Sequence, residues 1–324
     1  MTLELRDSPS ADGREICFRH FALQPIFSKS LEVVAYEALY RPGSHNCFHG
    51  DGNVASRLMI DNQLLFGYEG VTSSLPVFLN CTRETLQSGI WTLLPNWIGI
   101  EIVESVELDE PIIGICHRLK SLGYAISLDD FEESAYPPEK LDEIYDFVDF
   151  IKIDLRASLA QIPKRLRLNG NRKRIKTIAE KIESKSEFDL AVSEGFELFQ
   201  GCFLAPPVVH RHRSQSDDSS RLRILFDHLD LELFSDRDLE EAIGCVPSLA
   251  HRILRRASWL FDGQRTTASL NQAIQWLGRS GLRRLIALHL KCIEESAPIQ
   301  EVSPASCNQT CTVMGVEMRE QNRA

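Results

Sequence analysis

The sequence predicts an α/β fold: a TIM-like (β/α)8 barrel with an antiparallel first strand, followed by a small all-α module. Three observations carry this reading. Eight short apolar runs rich in Val, Ile, Phe and Tyr alternate with amphipathic stretches over residues 18–208, as buried strands alternate with crossover helices. Polar residues fall late in those runs, and the C-terminal end of barrel strands is where a barrel's mouth lies. Beyond about residue 211 the apolar runs stop and only helical periodicity continues.

In chain order the runs are FALQPIF (21–27), VVAYEALY (33–40), PVFLNC (76–81), IGIEIVE (98–104), YAISLDD (124–130), VDFIKID (148–154), IKTIAEKI (175–182) and FELFQGCF (196–203). Helical stretches between them include ETLQSGIWTLL, IIGICHRLKSLG closed by Gly123 and EFDLAVSEG closed by Gly195, glycine being the usual residue just past a helix. Only residues 28–32 separate the first two runs. That is too short for the crossover a parallel pair needs, so the first strand must run against the second.

Bulk properties narrow the class. With 43% hydrophobic and 25% charged residues the chain is an ordinary globular composition. No apolar stretch approaches the roughly 20 residues of a membrane span, and the acidic, polar start MTLELRDSPSADGRE does not resemble a secretory signal. Nine scattered cysteines lack any CxxC pair, which reads as reduced thiols in a cytoplasmic protein. The net charge of −10 argues against a general binder of nucleic-acid polymers.

Glu37, Asn80, Glu101, Asp129 with Asp130, Lys152, Glu180 and Gln200 all sit late in the runs. Brought to one mouth, so many carboxylates repel and raise one another's pKa unless a cation neutralises them. Hard oxygen donors select Mg²⁺ or Mn²⁺ over zinc. For Lys152 a plainer role is simply to satisfy the carboxylates.

Glu37-Ala38-Leu39 followed by Arg41 resembles the signature of EAL domains, bacterial phosphodiesterases that linearise cyclic di-GMP. Gln24-Pro25-Ile26 precedes it, and FLNCT, IEIVES, LDDF, IKID, AEKIE and FQGCFLAPP follow in order. The resemblance implies metal ligation by Glu37, Asn80, Glu101, Asp129 and Glu180, with Asp130 serving a second ion, so two Mg²⁺ or Mn²⁺ per site. It implies that Lys152 and Gln200 orient the attacking water, that Gln24 and Arg41 hold the dinucleotide, and that Glu104 anchors the loop after the paired aspartates. A homodimer through the barrel is expected by the same analogy. The sequence departs from the family at that loop: the usual glycines of DDFGTGYSSL give way to Glu132, Glu133, Pro137 and Pro138. A second departure puts Lys181-Ile182 where AEGVE is common, a variant resembling EAL domains fused to HDOD domains.

The remainder divides into an N-terminal tail (1–17), a linker (209–222), a helical module (223–298) and a disordered tail (299–324). DLEEAI, PSLAHRILRRAS and SLNQAIQWLGRSGLRRLIAL resemble the first half of an HDOD domain, a non-catalytic relative of HD phosphohydrolases, and the resemblance stops near Lys291. Ser235 is placed to cap the helix that ends at Gly244. A half-module leaves apolar faces at Leu249, Ile253, Leu254, Trp259, Leu260, Leu285 and Leu288 in need of the barrel, a second chain or another protein. Trp259 and Trp276 are read as core. Three functions follow: an active phosphodiesterase, a receptor that holds cyclic di-GMP uncut, or a protein-contact scaffold.

Overall fold

The computed structural model describes residues 16–43, 50–155, 175–215, 219–229, 235–261 and 269–295. The expected N-terminal tail up to residue 15 and the tail 299–324 lie outside the described residues.

All eight apolar runs are strands. They are β1 (Ile16–Ser28), β2 (Val33–Arg41), β3 (Val77–Cys81), β4 (Ile98–Ile102), β5 (Ile126–Leu128), β6 (Phe150–Asp154), β7 (Lys176–Glu180) and β8 (Leu198–Phe199). From β2 to β8 neighbours pair in parallel and in sequence order, and β1 closes the barrel by lying antiparallel to both β2 and β8. The tight reversal between β1 and β2 is held by Ser28 N–H donating to Glu32 O at 2.8 Å, with Leu31 left-handed at φ 62°. The five-residue gap had dictated this antiparallel start.

The barrel helices start where side chains can accept from orphan N–H groups. Asp51 caps α1 (Gly52–Leu65), Thr82 caps α3 (Arg83–Ser88), Asp109 caps α4 (Glu110–Ser121) and Ser184 caps α6 (Lys185–Glu194) in a full capping box. The short α2 (Glu69–Thr72) and α5 (Pro138–Phe147) complete this set among the described residues. Gly123 and Gly195 are left-handed just past α4 and α6, as their positions in the sequence predicted.

Two differences follow the barrel. Residues expected as a linker (209–222) form a ninth strand, β9 (Val208–Gln215), antiparallel to Ile16–Leu23 of β1, and then enter α7 (Ser219–His228). It is half-exposed and held by rings: His210 and His212 stack on Phe21, His212 also on Phe66, and the Arg211 guanidinium lies 3.4 Å from the Phe18 ring centre.

The remaining helices are α8 (Asp236–Gly244), capped by Ser235 as expected, α9 (Pro247–Ser258) and α10 (Leu270–Glu295), which is broken by Gly278 at φ 63°. Of the possible covers for their apolar faces, the barrel supplies one. Leu249, Ile253, Leu285 and Leu288 are buried in the same hydrophobic cluster as Leu58, Ile60 and Leu64 of α1. Trp259 is partly buried against this cluster, but Trp276 is 38% exposed and Leu260 43% exposed, so the core reading fails for Trp276.

Helix α1 is thus packed on both sides, and its residues 56–64 are all buried. Its polar side chains are therefore partnered. Ser56 Oγ donates to Asn80 O (2.7 Å), Arg57 reaches Glu84 and Glu295, and Asp61 accepts from Arg252 (2.7 and 2.8 Å) and from Arg19 (2.6 Å). His251 and Arg256 add bonds to the carbonyls of Leu65 and Thr92. No described helix is long and apolar enough to cross a membrane, and five cysteines among the described residues stand outside any disulfide.

Candidate active site

Strand alternation decides which side chains reach the mouth. Glu37 lies on β2, Asn80 and Glu101 face each other in register on β3 and β4, Lys152 lies on β6, Glu180 closes β7, and Gln200 follows β8. Gln24 of β1 is the cross-strand partner of Glu37. The structure brings all of these together.

Lys152, 1% exposed, is the centre. Its ammonium donates to Glu37 Oε2 (2.9 Å) and Glu101 Oε1 (2.8 Å), with Asp129 Oδ1 at 3.5 Å and Glu180 Oε2 at 3.6 Å. Glu37 also accepts from Asn80 Nδ2 (2.8 Å) and Gln200 Nε2 (2.7 Å), and Gln200 Nε2 lies 3.2 Å from Gln24 Oε1. Lys152 therefore does satisfy the carboxylate cluster in this structure.

The carboxylates are not equivalent. Burial opposes ionisation of Glu37, but Lys152 and the donors on Gln200 and Asn80 outweigh it and hold its pKa below the usual range. Glu101 is fully buried with a single donor and Glu37 and Asp129 as charged neighbours, so its pKa is pushed well up. Burial also raises Asp129, and it lifts Glu180 to about 8 against the pull of Lys152, with Asp129 and Asp130 adding to the rise.

Four buried oxygen or carbonyl acceptors in this cluster have no hydrogen-bond partner: Glu101 Oε2, Glu180 Oε1, Asn80 Oδ1 and Gln200 Oε1. A buried unpaired acceptor costs about 1–3 kcal/mol, and these hard oxygens are the donor type that Mg²⁺, Mn²⁺ or Ca²⁺ take. Among the described residues no group of three or more such side chains is set as a cation site, because Lys152 holds the centre, so an ion would take these oxygens only with that ammonium displaced.

Asp130, expected at a second ion, is placed differently. Its backbone is left-handed (φ 42°), and both its oxygens accept from Lys181 Nζ at 2.8 and 3.0 Å. Lys181, also left-handed (φ 57°), reaches Asp154 Oδ2 at 3.0 Å as well. Asp154 escaped the sequence reading although it lies two residues beyond Lys152 on the same face of β6. Gly201 permits this edge: a Cβ there would meet the Ile182 backbone at 2.2 Å, so only glycine lets the chain after Gln200 run beside Lys181-Ile182.

The loop after Asp130 stays at the mouth. Phe131 N–H donates to Lys152 O (3.0 Å), Phe131 stacks on Tyr136, and Tyr145 Oη donates to Glu133. With Asp129, Asp130 and Asp154 this loop lines a cavity of about 360 Å³. Glu104 is exposed on the rim of that cavity and lines it too. Arg41 is buried at the end of β2, with Nη1 donating to Tyr40 O at 2.8 Å.

Fold and mouth define an α/β-barrel protein whose C-terminal end gathers buried acids around the ammonium of Lys152. The family model of the EAL domain matches residues 76–207, and the chain carries an EAL domain. It is 32% identical over 271 residues to the protein YuxH of Bacillus subtilis, covering 82% of this chain and 66% of that one. It is 26% identical over 306 residues to the cyclic di-GMP phosphodiesterase CdgJ of Vibrio cholerae, covering 91% and 69%. The chain thus spans about two thirds of the length of these relatives. The crystal structure of the EAL-domain protein YkuI of Bacillus subtilis, in complex with cyclic di-GMP and calcium, overlaps 69% of this chain and 70% of its own at 20% identity and a TM-score of 0.48.

Proposed function

We propose that this chain hydrolyses cyclic di-GMP to linear pGpG with Mg²⁺ or Mn²⁺. The observation that carries the reading is the set of unpartnered buried oxygens on Glu101, Glu180, Asn80 and Gln200 around one cluster of acids. Similarity to a cyclic di-GMP phosphodiesterase supplies the substrate.

In this reading Glu37, Asn80, Glu101, Asp129 and Glu180 hold the ion, as the resemblance implied. A bound divalent ion would acidify water and offset charge building on the phosphate oxygens. Lys152 and Gln200, which already share Glu37, orient the attacking water. Arg41 presents a planar fork suited to a phosphate, and Gln24 steadies the dinucleotide from β1. Pairing through the barrel, an HDOD-like role for α7–α10, a protein partner for those helices and a cytoplasmic setting belong to the same proposal.

A receptor that keeps the ligand uncut is favoured by one observation, the engagement of Asp130 by Lys181. Incubation with cyclic di-GMP and Mn²⁺, with chromatographic detection of pGpG, separates the two. Metal-dependent product that falls by at least a hundredfold in Glu37→Ala supports hydrolysis. Binding without product makes the chain a receptor.

Metal affinity should also depend on pH. Glu180 holds its proton up to about 8 in the metal-free protein, and ligation requires the carboxylate. Ion binding at pH 7 should therefore release protons, and affinity should climb as pH rises from 6 to 8. Calorimetry in buffers of different ionisation enthalpy reads this directly; binding without proton release would remove Glu180 from the ligand set.

A further inference from the structure

We infer that Lys181 is a protein-borne cation standing in for a second divalent ion, so that the mouth takes one metal ion per chain. This rests on the reading of the inner mouth as a metal site.

The ammonium of Lys181 has three protons to donate, and three carboxylate oxygens stand within 3.0 Å of it: Asp130 Oδ1, Asp130 Oδ2 and Asp154 Oδ2. These come from chain just past β5 and from the last residue of β6, beside Glu180 at the last residue of β7. Two strand ends therefore converge on one positive charge. A divalent ion bound by the same aspartates would need those oxygens at about 2.0–2.6 Å, in space the ammonium fills. It would also face a like charge at contact distance, which disfavours binding.

The backbone independently marks this as a built arrangement. Lys181 and Asp130 both adopt left-handed φ angles that residues with side chains rarely occupy, and such outliers gather at functional sites. Their two unusual conformations turn the side chains toward each other. Lys181 reaches the mouth by this turn, since strand alternation would otherwise send it to the opposite face from Glu180. The inner set is different in kind. There the central Lys152 leaves Glu101 Oε2 and Glu180 Oε1 unpartnered, whereas Asp130 Oδ1, Asp130 Oδ2 and Asp154 Oδ2 are engaged by Lys181.

The test is ion stoichiometry, read without turnover. The full chain is stripped with chelator and titrated with Mn²⁺, bound ion being counted by equilibrium dialysis and spin–spin coupling sought by electron paramagnetic resonance. One uncoupled Mn²⁺ per chain is expected. Lys181→Gly, which accepts the left-handed backbone and removes the charge, should bind two, with dipolar broadening. Lys181→Asn, also tolerant of that conformation, should do the same if the glycine variant folds poorly. Adding Asp130→Asn to either should return the count to one. Two ions on the unaltered chain, or one on both folded Lys181 variants, would overturn the inference. No ion on the unaltered chain would overturn the metal-site reading beneath it.

Discussion

Asp61→Ala should destabilise the chain by about 3–5 kcal/mol, the usual loss when one partner of a buried ion pair is removed. Asp61 is fully buried and accepts from Arg252, itself 1% exposed, and from Arg19. Alanine would leave two largely buried guanidinium groups without a counter-charge. Burial alone would raise the Asp61 pKa, but the two arginines hold it well below the carboxylate range. The pair's contribution is therefore complete above the unfolded pKa of about 4 and fades only as pH falls beneath it. Urea unfolding should show a lower midpoint at unchanged slope. Asp61→Leu with Arg252→Met and Arg19→Met should recover a large part of the loss, because apolar replacement of the whole triad removes the desolvation penalty too. A loss below about 1 kcal/mol for Asp61→Ala, the worth of an exposed pair, would mean that α9 does not dock on α1 in solution.

The second large effect is expected at Lys152. In chelator, Lys152→Met leaves Glu37, Glu101, Asp129 and Glu180 in a closed mouth without their shared ammonium. Stability should fall by about 3–5 kcal/mol at pH 7. The deficit should shrink toward pH 5, where protonation discharges the acids instead. Mn²⁺ at a hundredfold over its dissociation constant should return about 2.7 kcal/mol by mass action, and should bind more tightly than to the unaltered chain. Product formation should drop by a factor of about 10²–10⁴, the range of a lost proton-transfer or orienting group. Equal melting of variant and unaltered protein in chelator would show that protonation, not Lys152, neutralises the mouth, and would weaken the case for a cation there.

How far the sequence could be read follows from where its signals are local. The barrel was legible because each strand is a compact apolar run, and the antiparallel start because five residues cannot make a crossover. Glu37, Asn80, Glu101, Lys152, Glu180 and Gln200 were legible because position late in a strand is a local property that the barrel turns into convergence. Strand β9 was hidden because it buries histidine and arginine faces on Phe21, Phe66 and Phe18, and such residues read as solvated. The buried run of α1 was hidden for a similar reason. Ser56, Arg57, Asp61, Asn62 and Gln63 are polar, and the partners of Ser56, Arg57 and Asp61 lie far away in sequence. Lys181 was visible only as a departure from a family pattern; its turn toward Asp130 depends on a backbone angle that composition does not encode.

Arg252 and Asp61 are 191 residues apart along the chain, yet neither is tolerable in that interior without the other. The same α1 that holds Arg252 through Asp61 also grips the Asn80 carbonyl through Ser56. A recombination event that exchanged the C-terminal helices for unrelated ones would strand a carboxylate beneath them and loosen the helix that seats a mouth residue. Barrel and helices must therefore be inherited together, and substitutions at positions 61 and 252 should be found to drift as a pair.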